Sequence, residues 1–245
     1  MIPSPGQLYY EDETICAAVF GKIEQQVAPH HSQELSISDA REFLARQLEL
    51  SPLEIALPQQ VHGDKAARIN DPVELPRDHS SCLADTDALW TTRPNTPLVI
   101  RTADCLPLFL KIEFGDRTCG AGIIHAGWRG LANGIIGSTI RELESLKPIR
   151  QLTAMIGPHI CAKHYEVGPE VADLFPEALL VQDGRTMLNL AEEATRLLTA
   201  QQHFSLKIES GIPGECTFHD NDRFFSHRRG DRGRNLNIIF LKSRA

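Results

Sequence analysis

The run Pro97-Leu98-Val99-Ile100-Arg101-Thr102-Ala103-Asp104-Cys105-Leu106-Pro107-Leu108-Phe109-Leu110 decides how the chain is read, together with the later run Ala121-Gly122-Ile123-Ile124-His125-Ala126-Gly127-Trp128-Arg129-Gly130. Short apolar stretches rich in Ile, Val and Leu read as buried strands. Each stretch here ends in a reactive side chain. Residues 97–100 lead into Asp104 and Cys105, residues 106–110 lead away, and residues 121–124 run into His125. A thiol and an imidazole are therefore predicted where strands surface, the usual location of function in mixed α/β folds. His62, in Gln59-Gln60-Val61-His62-Gly63, closes a third extended run in the same way.

Working outward, residues 15–20 read as a first strand and residues 21–36 as polar and turn-like. Ser36 or Ser38 is positioned to cap a helix reaching about residue 50, where Phe43, Leu44, Leu48 and Leu50 recur at near-helical spacing before Pro52. Residues 64–85 are loop-rich. Residues 84–90 return to alternation, placing Asp85 and Asp87 on one face of a strand. Residues 101–112 carry a central strand pair. From Arg129 onward, Leu131, Ile135, Ile136, Ile140 and Leu143 share one helical face that ends before Pro148. The start of that helix leaves free backbone N–H groups beside His125, a place for a phosphate or carboxylate. Further on come a strand at 152–156, a short helix opened by Pro169, an amphipathic helix at 189–201, a strand at 207–209, a Pro213-Gly214 turn and a last strand at 236–241. Strands outnumber helices without regular alternation. This predicts an α+β or layered α/β architecture with mixed sheets, forming a single domain over residues 1–245.

Composition narrows the function classes. With 42% apolar residues in 245, a sizeable core is available. The net charge of −7 argues against nucleic-acid or anionic-membrane binding, and the short basic cluster at 223–234 contains Asp231. Six cysteines without a CxxC pair indicate neither a disulfide scaffold nor a zinc ribbon. Residues 1–10 hold no apolar leader segment, and no later run reaches bilayer length. The expectation is a reduced, soluble, cytoplasmic protein; composition says nothing of oligomeric state.

Three readings of His62, Cys105 and His125 compete. As a metal site, a thiolate and two imidazoles suit Zn²⁺ and leave a fourth position for water or substrate. As a nucleophilic pair, Cys105 attacks and His125 takes its proton, leaving His62 without a role. As structure, Cys105 is a small buried hydrophobe, the reading given to Cys16, Cys82, Cys119, Cys161 and Cys216. Cys161 fits it least well, lying near His159 and His164. His30, His31, His79 and His203 read as surface residues, whereas His219 and His227 lie in an Arg-rich stretch. Arg129, Arg228 and Arg229 are candidate phosphate ligands, with a solvated turn held by Asp231 as the alternative for the Arg228-Arg229 pair. Copper is disfavoured, because no His-x-His pair and only three methionines are present.

Taken together, Gln60-Val61-His62-Gly63, Asp85-Thr86-Asp87-Ala88, Thr102-Ala103-Asp104-Cys105-Leu106-Pro107, His125-Ala126-Gly127-Trp128-Arg129-Gly130, Ile156-Gly157-Pro158, Tyr165-Glu166-Val167-Gly168 and Phe224-Phe225-Ser226-His227-Arg228-Arg229 resemble the YfiH-like family. That family is also called the polyphenol oxidase or laccase-domain family, or peptidoglycan editing factor. The resemblance implies a layered α/β/β/α fold and a zinc site at His62, Cys105 and His125. It also implies phosphorolysis of adenosine, inosine and methylthioadenosine, with adenosine deamination; for that chemistry Asp104 or Asp87 is our candidate proton carrier. Other activities attached to the family are phenol oxidation and action on peptidoglycan precursors, the latter compatible with a cysteine-type hydrolase. Phe20-Gly21-Lys22-Ile23-Glu24-Gln25-Gln26 departs from the Arg-x-Gly-Gly loop usual in the family. That departure keeps a non-catalytic binding module among the alternatives.

Overall fold

Residue alternation along the strands creates three apolar interfaces stacked on one another. In the computed structural model, which describes residues 7–25, 35–70, 83–201, 203–210 and 215–243, the strands are β1 (Gln7–Glu11), β2 (Ile15–Phe20), β3 (Ala66–Arg68), β4 (Ala88–Thr91), β5 (Leu98–Thr102), β6 (Leu106–Phe114), β7 (Cys119–Ala126), β8 (Ile149–Ile156), β9 (Leu179–Gln182), β10 (Arg185–Leu188), β11 (Ser205–Ser210) and β12 (Asn235–Leu241). The helices are α1 (Lys22–Gln25), α2 (Ile37–Leu48), α3 (Trp128–Asn133), α4 (Ile135–Leu146), α5 (Pro169–Ala172) and α6 (Leu190–Thr199). One sheet has the order β1-β2-β12-β5, the other β11-β8-β6-β7-β4-β3, and β9 and β10 form a separate hairpin. The larger sheet is mixed: β11 runs parallel to β8 and β3 to β4, while the other pairs are antiparallel.

Side-chain parity sorts the layers. On β2, Ile15, Ala17 and Val19 face the other sheet, where they meet Phe109, Ile123 and Met155. Ala18 and Phe20 point the opposite way, onto Phe43 and Leu44 of α2. On β6, Leu106, Leu108, Leu110 and Ile112 face Ile136, Ile140 and Leu143 of α4 and Leu198 of α6. The order is helix, sheet, sheet, helices, the layered arrangement expected above. Phe109, fully buried between the sheets, would cost about 3–5 kcal/mol on truncation to Ala. Among the described residues no helix is long and apolar enough to cross a membrane.

Ser36 caps α2 by accepting from the Asp39 backbone N–H, as its sequence position indicated. Elsewhere the structure corrects the reading. The helix expected from Arg129 onward is two helices, because Gly134 at φ 89° breaks it between Asn133 and Ile135. The strand pair expected over 101–112 is not a pair: β5 bonds to β12, and β6 to β7 and β8. The chain crosses from one sheet to the other at Ala103-Asp104-Cys105. Asp85 lies in an exposed turn at φ 49°, and β4 begins only at Ala88. Strands β1, β3, β9 and β10 are short, and sequence alternation did not reveal them. The assignments for Cys82, His30, His31, His79 and the Pro213-Gly214 turn fall outside the described residues.

Candidate active site

Asp87 is the anchor of the site. Fully buried just before β4, its carboxylate accepts the backbone N–H groups of Val61 (3.1 Å), His62 (3.0 Å) and Gly63 (2.8 Å). These bonds hold His62 at φ 60°, a left-handed conformation uncommon for a residue with a Cβ. The neighbouring Gln60 side chain is tied to the sheet edge, donating to the Arg101 carbonyl (2.9 Å) and accepting the Arg101 N–H (2.7 Å). Asp87 also bonds Nδ1 of His125 at 2.8 Å, while the His125 backbone N–H donates to the Asp87 carbonyl. With Asp87 ionised, Nδ1 carries the hydrogen, and Nε2 is left for Cys105. Burial pushes the Asp87 carboxyl upward, but the His125 hydrogen bond and the backbone donors outweigh it and hold it below the usual range.

The crossing between sheets is built around Asp104, which adopts φ 88°. Its carboxylate accepts from Thr217 Oγ1 (2.6 Å), Ser226 Oγ (3.0 Å) and the Arg228 N–H (2.7 Å). Its carbonyl accepts the Ile160 N–H at 3.0 Å. Asp104 thus ties three segments to the corner that presents Cys105. Both aspartates considered as proton carriers have their oxygens engaged in holding backbone and side chains.

These supports bring His62, Cys105 and His125 together, with one donor atom from each lying within 4.8 Å of the other two. The two imidazole centroids are 4.7 Å apart. A Cβ on Gly127 would sit 2.8 Å from Cys105 Sγ and 3.1 Å from His62 Cδ2, so only glycine permits this approach. Burial raises the Cys105 thiol, but His125 and His62 beside it prevail and bring it down to about 6. Burial likewise opposes the charged form of His125, yet Cys105 and Asp87 raise it to about 9. One thiolate and two imidazoles, with a carboxylate behind one imidazole, fit a zinc-type cation with a position left open.

The cluster opens into a cavity of about 450 Å³ whose lining includes Arg101, Arg129, Arg228, Arg234, Trp128 and Tyr165. The Arg129 guanidinium lies over the Trp128 ring at 4.4 Å, and that of Arg228 lies 5.2 Å from the Tyr165 ring. Arg228 also donates to the Glu166 carbonyl through both terminal nitrogens, each at 3.0 Å. Arg229 does not line the cavity. It donates to the carbonyls of Thr217 (2.7 Å), Phe218 (2.7 Å) and Phe224 (2.6 Å) and pairs with Asp231, the turn-holding role weighed as its alternative. His227 does line the cavity. Arg101, Arg234 and Tyr165 line the cavity although sequence spacing does not mark them as site residues. The arginines come from segments far apart in the chain, so no local spacing reveals them.

A family model described as multi-copper polyphenol oxidoreductase laccase matches residues 26–242. The chain is 33% identical over 217 residues to a purine nucleoside phosphorylase of Pseudomonas aeruginosa, covering 84% of this chain and 81% of that one. A purine nucleoside phosphorylase of Deinococcus radiodurans is also 33% identical, over 218 residues, with 85% and 78% covered. Among solved structures, the hypothetical protein YfiH of Bacillus licheniformis aligns with a TM-score of 0.72 at 28% identity over 93% of each chain. YlmD of Geobacillus stearothermophilus shares the fold, with a TM-score of 0.73 at 22% identity over 98% of this chain and 100% of that one.

Proposed function

Because the chain belongs to the YfiH-like, or laccase-domain, family, we propose that it is a cytoplasmic purine nucleoside phosphorylase acting on adenosine, inosine and methylthioadenosine. The products are free base and ribose 1-phosphate or its methylthio analogue. The observation that carries this reading is one cavity holding His62, Cys105 and His125 together with Arg129 and Arg228.

We assign zinc to His62, Cys105 and His125; when bound, it supplies a Lewis acid at the cavity wall. Arg129 and Arg228 bind phosphate, their planar donors matching its oxygens and their positions fixed by Trp128 and Tyr165. A phosphate oxygen then bonds to the anomeric carbon as the glycosidic C–N bond breaks, and that electron pair goes to the base. The proton that hydrogenphosphate gives up equals the one the departing base gains, so the reaction balances without a further acid. Asp87 and Asp104 position the other groups; Arg229 keeps the loop carrying Arg228 in place. Deamination of adenosine, in which water adds to the purine ring and ammonia leaves, is proposed for the same cavity.

Release of free base from adenosine and inosine, with and without phosphate, tests this reading for wild type and Cys105→Ala, with metal content measured in both. Phosphate-dependent release that disappears in the variant together with one equivalent of metal is the expected result. A zinc-loaded wild type that releases no base from either nucleoside would overturn it.

One observation favours a second reading. Cys105 and His125 are adjacent, with the thiol lowered and the imidazole raised, as in a nucleophilic cysteine pair. A cysteine-type hydrolase acting on peptidoglycan precursors would retain activity after chelation and lose it on alkylation of Cys105.

A further inference from the structure

A second set of donors converges outside the cavity lining. Cys161 opens a one-turn 3-10 helix, Ala162–His164, and the Cys-x-x-His spacing folds the imidazole back onto the thiol. His164 Nδ1 lies 3.2 Å from Cys161 Sγ and 3.3 Å from Cys216 Sγ. Cys216 arrives from a separate segment, held by a parallel bridge to His159 and by the Thr217 N–H donating to the His159 carbonyl. Its sulfur also accepts the Cys161 backbone N–H at 3.3 Å. All three donor atoms lie within 4.8 Å of one another.

Hydrogen bonds join this set in pairs, the two thiols also bonding each other, but no single proton bonds all three atoms. An uncharged Nδ1 offers either one lone pair or one hydrogen, and so satisfies one sulfur at a time. A cation bonded to all three satisfies both. With Zn–S near 2.3 Å and Zn–N near 2.0–2.1 Å, tetrahedral angles put nitrogen and sulfur ligands about 3.6 Å apart. The observed separations are only a few tenths of an ångström shorter. A backbone N–H directed at a sulfur is also the contact that stabilises a bound thiolate.

We propose that Cys161, His164 and Cys216 bind a second zinc-type divalent cation, separate from the one at His62, Cys105 and His125. Solvent completes the fourth position, beside the exposed His219 ring that stacks on His164 at 5.8 Å. The site is a clip between two segments that both reach the cavity. Ile160 and Thr217, one residue before Cys161 and one after Cys216, both bond Asp104. Tyr165, one residue after His164, lines the cavity.

Full-length protein, kept reduced, stripped with chelator and reloaded with zinc or cobalt(II), tests the proposal. Two metal equivalents are expected for wild type, one for Cys105→Ala and one for His164→Ala. If His164→Ala fails to fold, the cobalt spectrum of Cys105→Ala decides alone, because only the second site then supplies thiolate ligands. A thiolate-to-cobalt charge-transfer band in that variant supports the clip. A Cys105→Ala protein that binds no metal or lacks the band overturns it, as does intact-mass detection of a Cys161–Cys216 disulfide in the reduced preparation. None of these readouts depends on nucleoside turnover, so failure here is distinct from failure of the phosphorylase reading.

Discussion

The two donor clusters use the same residue types in inverse proportion and are assembled by different means. His62, Cys105 and His125 come from two loops and a strand end: β6–β7 pairing sets Cys105 beside His125, and a buried carboxylate fixes the His62 loop and the His125 ring together. Cys161 and His164 meet within one turn and wait for a single distant partner, Cys216. The first cluster opens into a cavity lined by arginines, whereas the second lies outside that lining. A metal site with an open position beside charged walls suits chemistry, and one knitting chain segments together suits stability. Function therefore follows from what surrounds the donors more than from the donors themselves.

The comparison can be broken most severely at Cys105. Replacing it with Ala should lower base release by more than about 100-fold, beyond what removal of a supporting residue costs, while the second cluster keeps its metal. Asp87→Ala should come next. It strips three backbone donors and one imidazole of their acceptor, so zinc affinity at the first cluster should fall roughly 10–100-fold; chelator competition measures this. Asp87→Asn, with the shape kept and the charge gone, should fall between that variant and wild type. Gly127→Ala should follow, with about a tenfold loss in affinity, equivalent to roughly 1.4 kcal/mol, because a methyl group contacts both Cys105 and His62. The protein should remain folded by circular dichroism.

The arginines sharpen the contrast. Arg228→Ala should raise the KM for phosphate about tenfold or more, the scale of one lost charge-assisted hydrogen bond, and leave the melting temperature almost unchanged. Arg229→Ala should do the reverse, lowering the melting temperature by several degrees as three carbonyls lose their donor. The smallest catalytic effect is expected at the clip. His164→Ala should change base release by less than about threefold, within the range of substitutions outside the reacting centre, yet remove the second cluster's share of the melting temperature that zinc confers.

The layered fold and the His62, Cys105, His125 convergence were legible because strand parity and strand exits leave local marks. Ser36, ahead of a run containing Phe43 and Leu44, announced α2 for the same reason. Asp104 shows where legibility stops. A single residue at positive φ sends β5 and β6 into different sheets, and nothing in the run 97–110 distinguishes that corner from an ordinary hairpin turn. Arg228 and Arg229 are neighbours in sequence, yet one guanidinium lines the cavity and the other binds carbonyls; alternation in an irregular loop has no fixed period to read. Cys216 reads as a buried apolar residue, as its burial alone suggests. Its partners lie in another segment. The Cys161-x-x-His164 spacing was the one available local signal.

The sheet-to-sheet step at residues 103–105 also bears on how the protein matures. Cys105 leads into a strand of one sheet, directly after the chain leaves the other, and the Gln60 side chain next to the His62 loop is bonded to the edge of β5. The β6–β7 hairpin, which pairs Leu106 with Ala126 and Pro107 with His125, brings Cys105 and His125 together locally, whereas His62 joins them only when its loop docks on Asp87, at the cost of closing a longer loop. Completion of the three-donor set is consequently a late event of folding. On refolding from denaturant, regain of turnover would report docking of the His62 loop and lag behind regain of helical signal.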